Sequence, residues 1–146
     1  MTEEQKKQIL SRMQRYCSLE DRSVQKVREK LLAIEEASES EIDEILSSLI
    51  DDRFLDEARF VESFIRSKIN QKRWGVQKIK HGLFRHQIPA TLIEEGIQNL
   101  DRKAYSANLK YLFDTKKSTT DDPGAWIRYL IQKGYLYDEI RELIES

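Results

Sequence analysis

At 146 residues and a formal net charge of -1, the chain fits one domain or an array of small units. Five Gly and two Pro leave little room for a turn-rich β fold, and no apolar run approaches the about 20 residues that span a bilayer. The single cysteine, Cys17, excludes an internal disulfide. The polar segment from Thr2 to Gln8 has no signal-peptide core, so the expected location is cytoplasmic.

Hydrophobic residues make up 39% and charged residues 35%, a balance that suits thin helical layers better than one thick core. Glu, Lys, Leu, Ile, Arg and Gln dominate, and these straight-chain types are good helix formers. The expected fold class is all-α.

In chain order, residues 3–16 read as a helix, with Ile9, Leu10, Met13 and Tyr16 near helical spacing. Ser18 before Asp21 resembles a start signal for a second helix carrying Val24, Val27, Leu31 and Leu32. Ser38 and Glu41 have capping-box spacing and open a third helix with Ile42, Ile45, Leu46 and Leu49. A fourth helix covers 55–69, with Val61, Phe64, Ile65 and Ile69 inward. Gly75 marks a break, and Val76, Ile79, Leu83 and Phe84 then renew the apolar stripe. Pro89 suits the start of a sixth helix, because its missing N–H costs nothing in a first turn. Residues 102–114 form a seventh helix, and Lys116 to Asp122 read as a mobile polar linker. Asp122 and Pro123 cap and open an eighth helix with Trp126, Leu130 and Ile131, which Gly134 stops. Ile140, Leu143 and Ile144 mark a last helix.

The apolar pattern repeats. Ile79, Leu83, Phe84, Ile93 and Ile97 lie 47 residues before Trp126, Leu130, Ile131, Ile140 and Ile144, and Val24, Val27, Leu31 and Leu32 lie 52 before Val76, Ile79, Leu83 and Phe84. One such unit buries too little apolar surface alone, so neighbours must stack. The expected organisation is an N-terminal helix (1–17), a first three-helix repeat (18–70), a second (71–117), and a last repeat of two helices (118–146), truncated at the chain end. Stacked together, these small bundles make an elongated, curved array.

Charge is strongly polarised in the middle of the chain. From Glu35 to Glu62 there are eleven acids against only Arg53 and Arg59. Between Glu62 and Glu94 there is no acid, while Arg66, Lys68, Lys72, Arg73, Lys78, Lys80 and Arg85 stand there with His81 and His86. A solvated face normally mixes signs, so this run points to phosphates or an acidic protein surface. Val76, Ile79 and Leu83 must face the bundle. Lys78, His81 and Arg85 share that spacing shifted by two residues, about 200° round the helix. Lys80 flanks the buried stripe, and Lys72 and Arg73 precede the helix. The candidate partner-binding residues are therefore Lys68, Lys72, Arg73, Lys78, Lys80 and Arg85, making one basic ledge. Trp74 reads as a plug between bundles rather than a stacking platform, because large aromatics are costly to leave in water.

Catalytic signals are poor. His81 and His86 are five apart and do not share a helix face as metal ligands would. There is no Cys–His cluster of zinc spacing and no glycine-rich phosphate loop. Asp51, Asp52, Asp56 and Glu57 are explained by capping and solvation, and Cys17 lacks an evident base. No enzyme activity, cofactor or metal is expected.

Residues Leu55 to Lys68 resemble the RecX family, bacterial regulators of the RecA recombinase: Asp56, Arg59, Phe60, Phe64, Ile65 and Lys68 match its pattern, while Glu57 and Val61 are mild departures. The likeness continues in Tyr16-Cys17-Ser18, in Arg22-Ser23 with Val27, Lys30 and Leu31, in Lys72-Arg73-Trp74-Gly75 with Lys78 and Ile79, and in Gly134-Tyr135 with Ile140. The resemblance implies three tandem three-helix repeats. It also implies a monomeric, non-enzymatic protein that binds the RecA filament on single-stranded DNA and curbs its ATPase, strand-exchange and co-protease activities in DNA repair and the SOS response. Two other readings stay open at this stage: a nucleic-acid-binding module that needs no recombinase, and a helical scaffold for another protein.

Overall fold

The computed structural model describes all 146 residues as nine α-helices without a strand. They are α1 (Glu3–Leu19), α2 (Val24–Leu32), α3 (Glu39–Asp51), α4 (Glu57–Ser67), α5 (Val76–Arg85), α6 (Ala90–Gln98), α7 (Arg102–Lys117), α8 (Pro123–Gln132) and α9 (Tyr137–Glu145), with a π-helical turn over Lys68–Lys72 closing α4. None is long and apolar enough to cross a membrane.

Helix starts follow local chemistry. Ser38 and Glu41 form the expected capping box, Asp56 accepts from the Arg59 amide, and Asp122 caps α8 with Pro123 in its first turn. Ser18 does not start α2. Its hydroxyl donates back to the Gln14 carbonyl at 2.7 Å within α1, and Ser23 is the cap that opens α2. The 116–122 segment is shorter and better held than its composition suggests. α7 runs through Lys117, and the Trp126 indole N–H donates to the Thr120 carbonyl at 2.8 Å.

Two cores form. The first joins Ile9, Met13 and Cys17 of α1 to Val27 and Leu31 of α2 and Ile42, Ile45, Leu46 and Leu49 of α3. The second runs continuously through α4 to α9, from Phe60 to Ile140. Packing therefore groups the helices as α1–α3, α4–α6 and α7–α9. The boundaries expected at 17/18, 70/71 and 117/118 fall one helix later than this. The apolar stripe of α1 is what decides it, since Ile9, Met13 and Cys17 are buried against α2 and α3 rather than left as an arm. The accessible surface is 9450 Å². A compact monomer of 17.3 kDa would expose roughly 7,800 Å². The excess fits an elongated array of small bundles.

The repeat carries a regularity not expected from sequence. Leu31, Leu83 and Leu130 are fully buried, whereas their neighbours Leu32, Phe84 and Ile131 are 55%, 73% and 49% exposed. One residue turns the helix by about 100°. In each triplet that rotation carries the last apolar side chain out of the core.

The second and third triplets are joined through backbone. The Gly75 amide donates to the Lys133 carbonyl at 2.8 Å and the Gln77 amide to the Gly134 carbonyl at 2.9 Å. The approach is so close that a Cβ on Gly75 would stand 2.3 Å from the Gly134 carbonyl carbon. Gly134 itself has φ +103°, a conformation only glycine adopts freely. Two phenols lock the join. Tyr105 accepts from the Val76 amide at 3.1 Å and donates to Glu139 at 2.8 Å, and Tyr135 donates to the Arg73 carbonyl at 2.9 Å. Burial pushes both phenols up from their ordinary value, so they stay protonated donors. Gly75→Ala should lower unfolding stability by about 1–3 kcal/mol, read as a shift in urea midpoint. An unchanged midpoint would show that the two triplets do not depend on this contact.

Candidate functional site

The π-helical turn adds a residue to the end of α4 and redirects the chain. Arg73 follows in a left-handed conformation, φ 54°. The Ile69 carbonyl freed by the turn accepts from the Asn108 side chain of α7 at 2.8 Å. This brings Lys68, from the turn, and Lys78, from α5, to one ring. Their ammonium nitrogens lie 4.7 and 5.0 Å from the centre of the Trp74 ring. Lys68 also lies 5.1 Å from the Phe64 ring. Trp74 is half-buried, with its edge against the Gly82 and Phe64 side of α5 and α4. It packs on the core without being sealed inside it, so the expectation of a buried plug is only half met.

The other expected residues divide. The Arg73 guanidinium lies 4.2 Å from the Tyr111 ring. Lys72 and Arg85 are exposed, and no carboxylate lies within ion-pair distance of either. Lys80 leaves the group. It pairs with Glu94 at 3.2 Å and faces an open apolar groove with His81, Phe84, Ile131, Leu136 and Tyr137. The reason is geometric: Lys78 and Lys80 are about 200° apart on one helix and emerge on opposite flanks of the buried stripe. The ledge inferred from sequence is therefore two surfaces, one cationic and one largely apolar.

The acidic segment upstream does not neutralise the cations. Glu41 pairs with the N-terminal ammonium, Glu44 with Lys6 and Asp43 with Arg28, all within the first triplet.

Sequence reading missed part of the cationic surface. Lys116 and Lys133 lie 5.1 and 5.9 Å from the Tyr129 ring. They are remote in sequence from Trp74, but the Gly75–Lys133 hydrogen bond sets Lys133 beside it. The only hint in the sequence is Gly134, which reads there as a helix stop. Contacts between lysine and an exposed ring are worth about 0.5–1 kcal/mol, whereas a hydrogen bond to a charged group contributes about 1.5–3 kcal/mol. By these magnitudes an ammonium group prefers an anion to a ring.

Behind this surface lies the joint to the first triplet. Asp21 accepts from the Ser63 hydroxyl at 2.6 Å and from Arg59. Burial alone would raise this carboxyl, but the Ser63 and Arg59 hydrogen bonds outweigh it and hold the group below its ordinary value. The fully buried Ser23 hydroxyl meets His86 Nδ1 at 2.9 Å while its oxygen accepts from the Lys26 amide. The hydroxyl has a second lone pair, so the direction of the Ser23–His86 bond follows the imidazole tautomer. Burial beside Phe60 and Phe64, with Lys26 and Lys68 nearby and Glu29 opposing, pushes His86 below its ordinary value.

No group of three or more His, Cys, Asp or Glu is arranged to hold a metal ion. Cys17 is buried, and burial pushes its thiol up, which makes it a poor nucleophile. The arrangement is suited to binding: a tandem three-helix repeat protein with aromatic rings set among unpaired cations, along the seam between two repeats.

Comparison with known proteins names the family. The family described as "RecX, second three-helix domain" matches residues 56–97, which cover α4 to α6. Regulatory protein RecX of Clostridium beijerinckii is 32% identical over 82% of this chain and 59% of its own length. Regulatory protein RecX of Prosthecochloris aestuarii is 25% identical over 100% of this chain and 97% of its own. The crystal structure of RecX from Lactobacillus salivarius superposes with a TM-score of 0.88 at 22% identity, covering 99% of this chain and 97% of that one. The chain belongs to the RecX family of regulatory proteins. It spans 59%, 50% and 51% of the length of the relatives from Clostridium beijerinckii, Bacillus mycoides and Clostridium tetani.

The joint has a definite pH dependence. A group whose folded value is depressed adds stability above its unfolded value and loses it as pH falls through the folded one. The thermal midpoint should therefore fall as pH drops below 6.5, the ordinary imidazole value. In His86→Gln that part of the decline should vanish. Equal slopes in the two proteins would remove His86 from the joint.

Proposed function

We propose that this chain binds the RecA filament on single-stranded DNA and restrains its ATPase, strand-exchange and co-protease activities by binding alone, as a regulator in DNA repair and the SOS response. The observation that carries the reading is the convergence of Lys68 and Lys78 on Trp74, with Arg73 adjoining and no carboxylate pairing with any of them. A surface of this kind suits a polyanion and has no apparatus for chemistry on it. Membership of a family of regulatory proteins supports the same direction. The contact residues on this reading are Lys68, Lys72, Arg73, Lys78 and Arg85. Lys80, paired to Glu94 on the other flank, is peripheral.

The test is the DNA-stimulated ATPase of the cognate recombinase with and without the chain. Reversing Lys68, Lys72, Arg73, Lys78 and Arg85 to Glu should raise the half-inhibitory concentration by ~10-fold or more, with far-UV helicity unchanged. Lys80→Glu should have little effect. Inhibition that survives the combined reversal removes this surface from the contact.

A second reading, a nucleic-acid module that needs no recombinase, draws on the rings among the cations. Its mark would be tight binding to bare strands with a log–log salt slope of roughly -0.7 per phosphate contact, and no retention of the recombinase.

A further inference from the structure

The structure holds two aromatic rings that each have two lysines close by: Trp74 with Lys68 and Lys78, and Tyr129 with Lys116 and Lys133. Both rings are half-buried, packed on the core by one part and overlaid by the lysine ammonium groups on the other. They belong to different triplets, yet the Gly75 amide next to Trp74 is hydrogen-bonded to the carbonyl of Lys133, one helical turn beyond Tyr129. Lys78 lies against the same seam, where its Cβ would stand 2.5 Å from a Cβ on Gly134. The carboxylate held in this junction, Glu139, is turned to the Tyr105 hydroxyl at 2.8 Å. Asp114 is paired with Lys110.

We propose that Trp74 and Tyr129 are stacking platforms for bases of one nucleic-acid strand, whose phosphates cross the seam between Lys78 and Lys133. Two features select a nucleic-acid strand over an acidic protein segment. Carboxylates satisfy lysines but leave aromatic faces without a partner, whereas each nucleotide brings both an anion and a flat π face. The rings are also rigidly placed, Trp74 by the π-helical turn and Tyr129 by α8, so stacking costs them little conformational freedom. The inference rests on the filament reading for the source of its strand, and it deepens that reading by placing strand contacts in the third triplet as well as the second.

The chain has two tryptophans, so in Trp126→Phe the emission reports Trp74 alone. This protein is titrated with deoxyuridine and uridine homo-oligonucleotides, with an abasic strand of equal length, and with inorganic polyphosphate. Quenching by a base-bearing strand and not by the abasic strand or polyphosphate is expected, and the tighter of the two base-bearing strands identifies the sugar preferred. Tyr129→Ala should weaken binding by roughly 10-fold. Lys78→Gln and Lys133→Gln, which leave the core intact, should each flatten the salt dependence by about one phosphate contact. Equal quenching by polyphosphate, or strand binding that leaves Trp74 emission and Tyr129→Ala affinity unchanged, overturns the proposal in favour of a purely ionic or acidic-protein surface. No recombinase is present in these titrations. Strand quenching without filament inhibition therefore overturns the filament reading alone, and filament inhibition without strand quenching overturns the platforms alone.

Discussion

The contact on which the rest of the molecule depends is the one between Gly75 and Gly134. Two short helices of different repeats meet there backbone to backbone, at a distance that excludes a single methyl group. The chain thereby satisfies the Gly75 and Gln77 amides at the start of α5, two donors that a helix terminus leaves without an internal partner. The third, at Val76, goes to the Tyr105 hydroxyl. One junction thus caps α5, fixes the repeat spacing and places Lys133 beside Trp74. The cationic surface is a by-product of how the second and third triplets are joined.

The joint on the other side of the second triplet is of a different kind. The cores of α1–α3 and α4–α9 are separate, and what links them is directional: Asp21 with Arg59 and Ser63, and Ser23 with His86. Apolar burial tolerates small slides, whereas a hydrogen-bonded joint is either made or broken. Elements held by few buried contacts are those that open first. The seam between the second and third triplets is therefore the more firmly held, and the joint between the first and second is the one expected to open first.

Most of the fold was legible because it is written in short-range terms. The nine helices follow from apolar spacing and from caps such as Ser38 and Asp122, which act within three residues of themselves. The repeat was visible from equivalent apolar positions. Its phase was not, because α1 has a stripe of its own and only packing shows that it completes the first bundle. Phe84, at the end of the α5 apolar stripe, is exposed for a similar reason: spacing selects a face, but the width of the buried stripe is set by neighbouring helices. At the candidate site, the unbroken run of cations was evident: Lys68 and Lys78 meet at Trp74, Arg73 lies against Tyr111, and Lys72 and Arg85 are exposed. Lys80 was lost to a rotation that the sequence already contained, and Lys116, Tyr129 and Lys133 were hidden because a hydrogen bond across more than fifty residues brings them in.

The near-zero net charge is compatible with a polyanionic target once the distribution is taken into account. Glu39, Asp43, Glu44, Asp51 and Asp52 line one open face of α3, in the first triplet. The unpaired cations lie along the seam of the second and third. Charges further apart than about 8–10 Å are largely screened at physiological salt, so a phosphate at the seam responds to the local lysines and not to the total. At longer range the same separation gives the chain a dipole. A polyanion attracts the seam and repels α3, which selects one approach out of many before any contact is made. An evenly basic protein would bind such a polymer in every orientation. On the proposed reading, the acidic first triplet disfavours approach of a polyanion by the wrong faces.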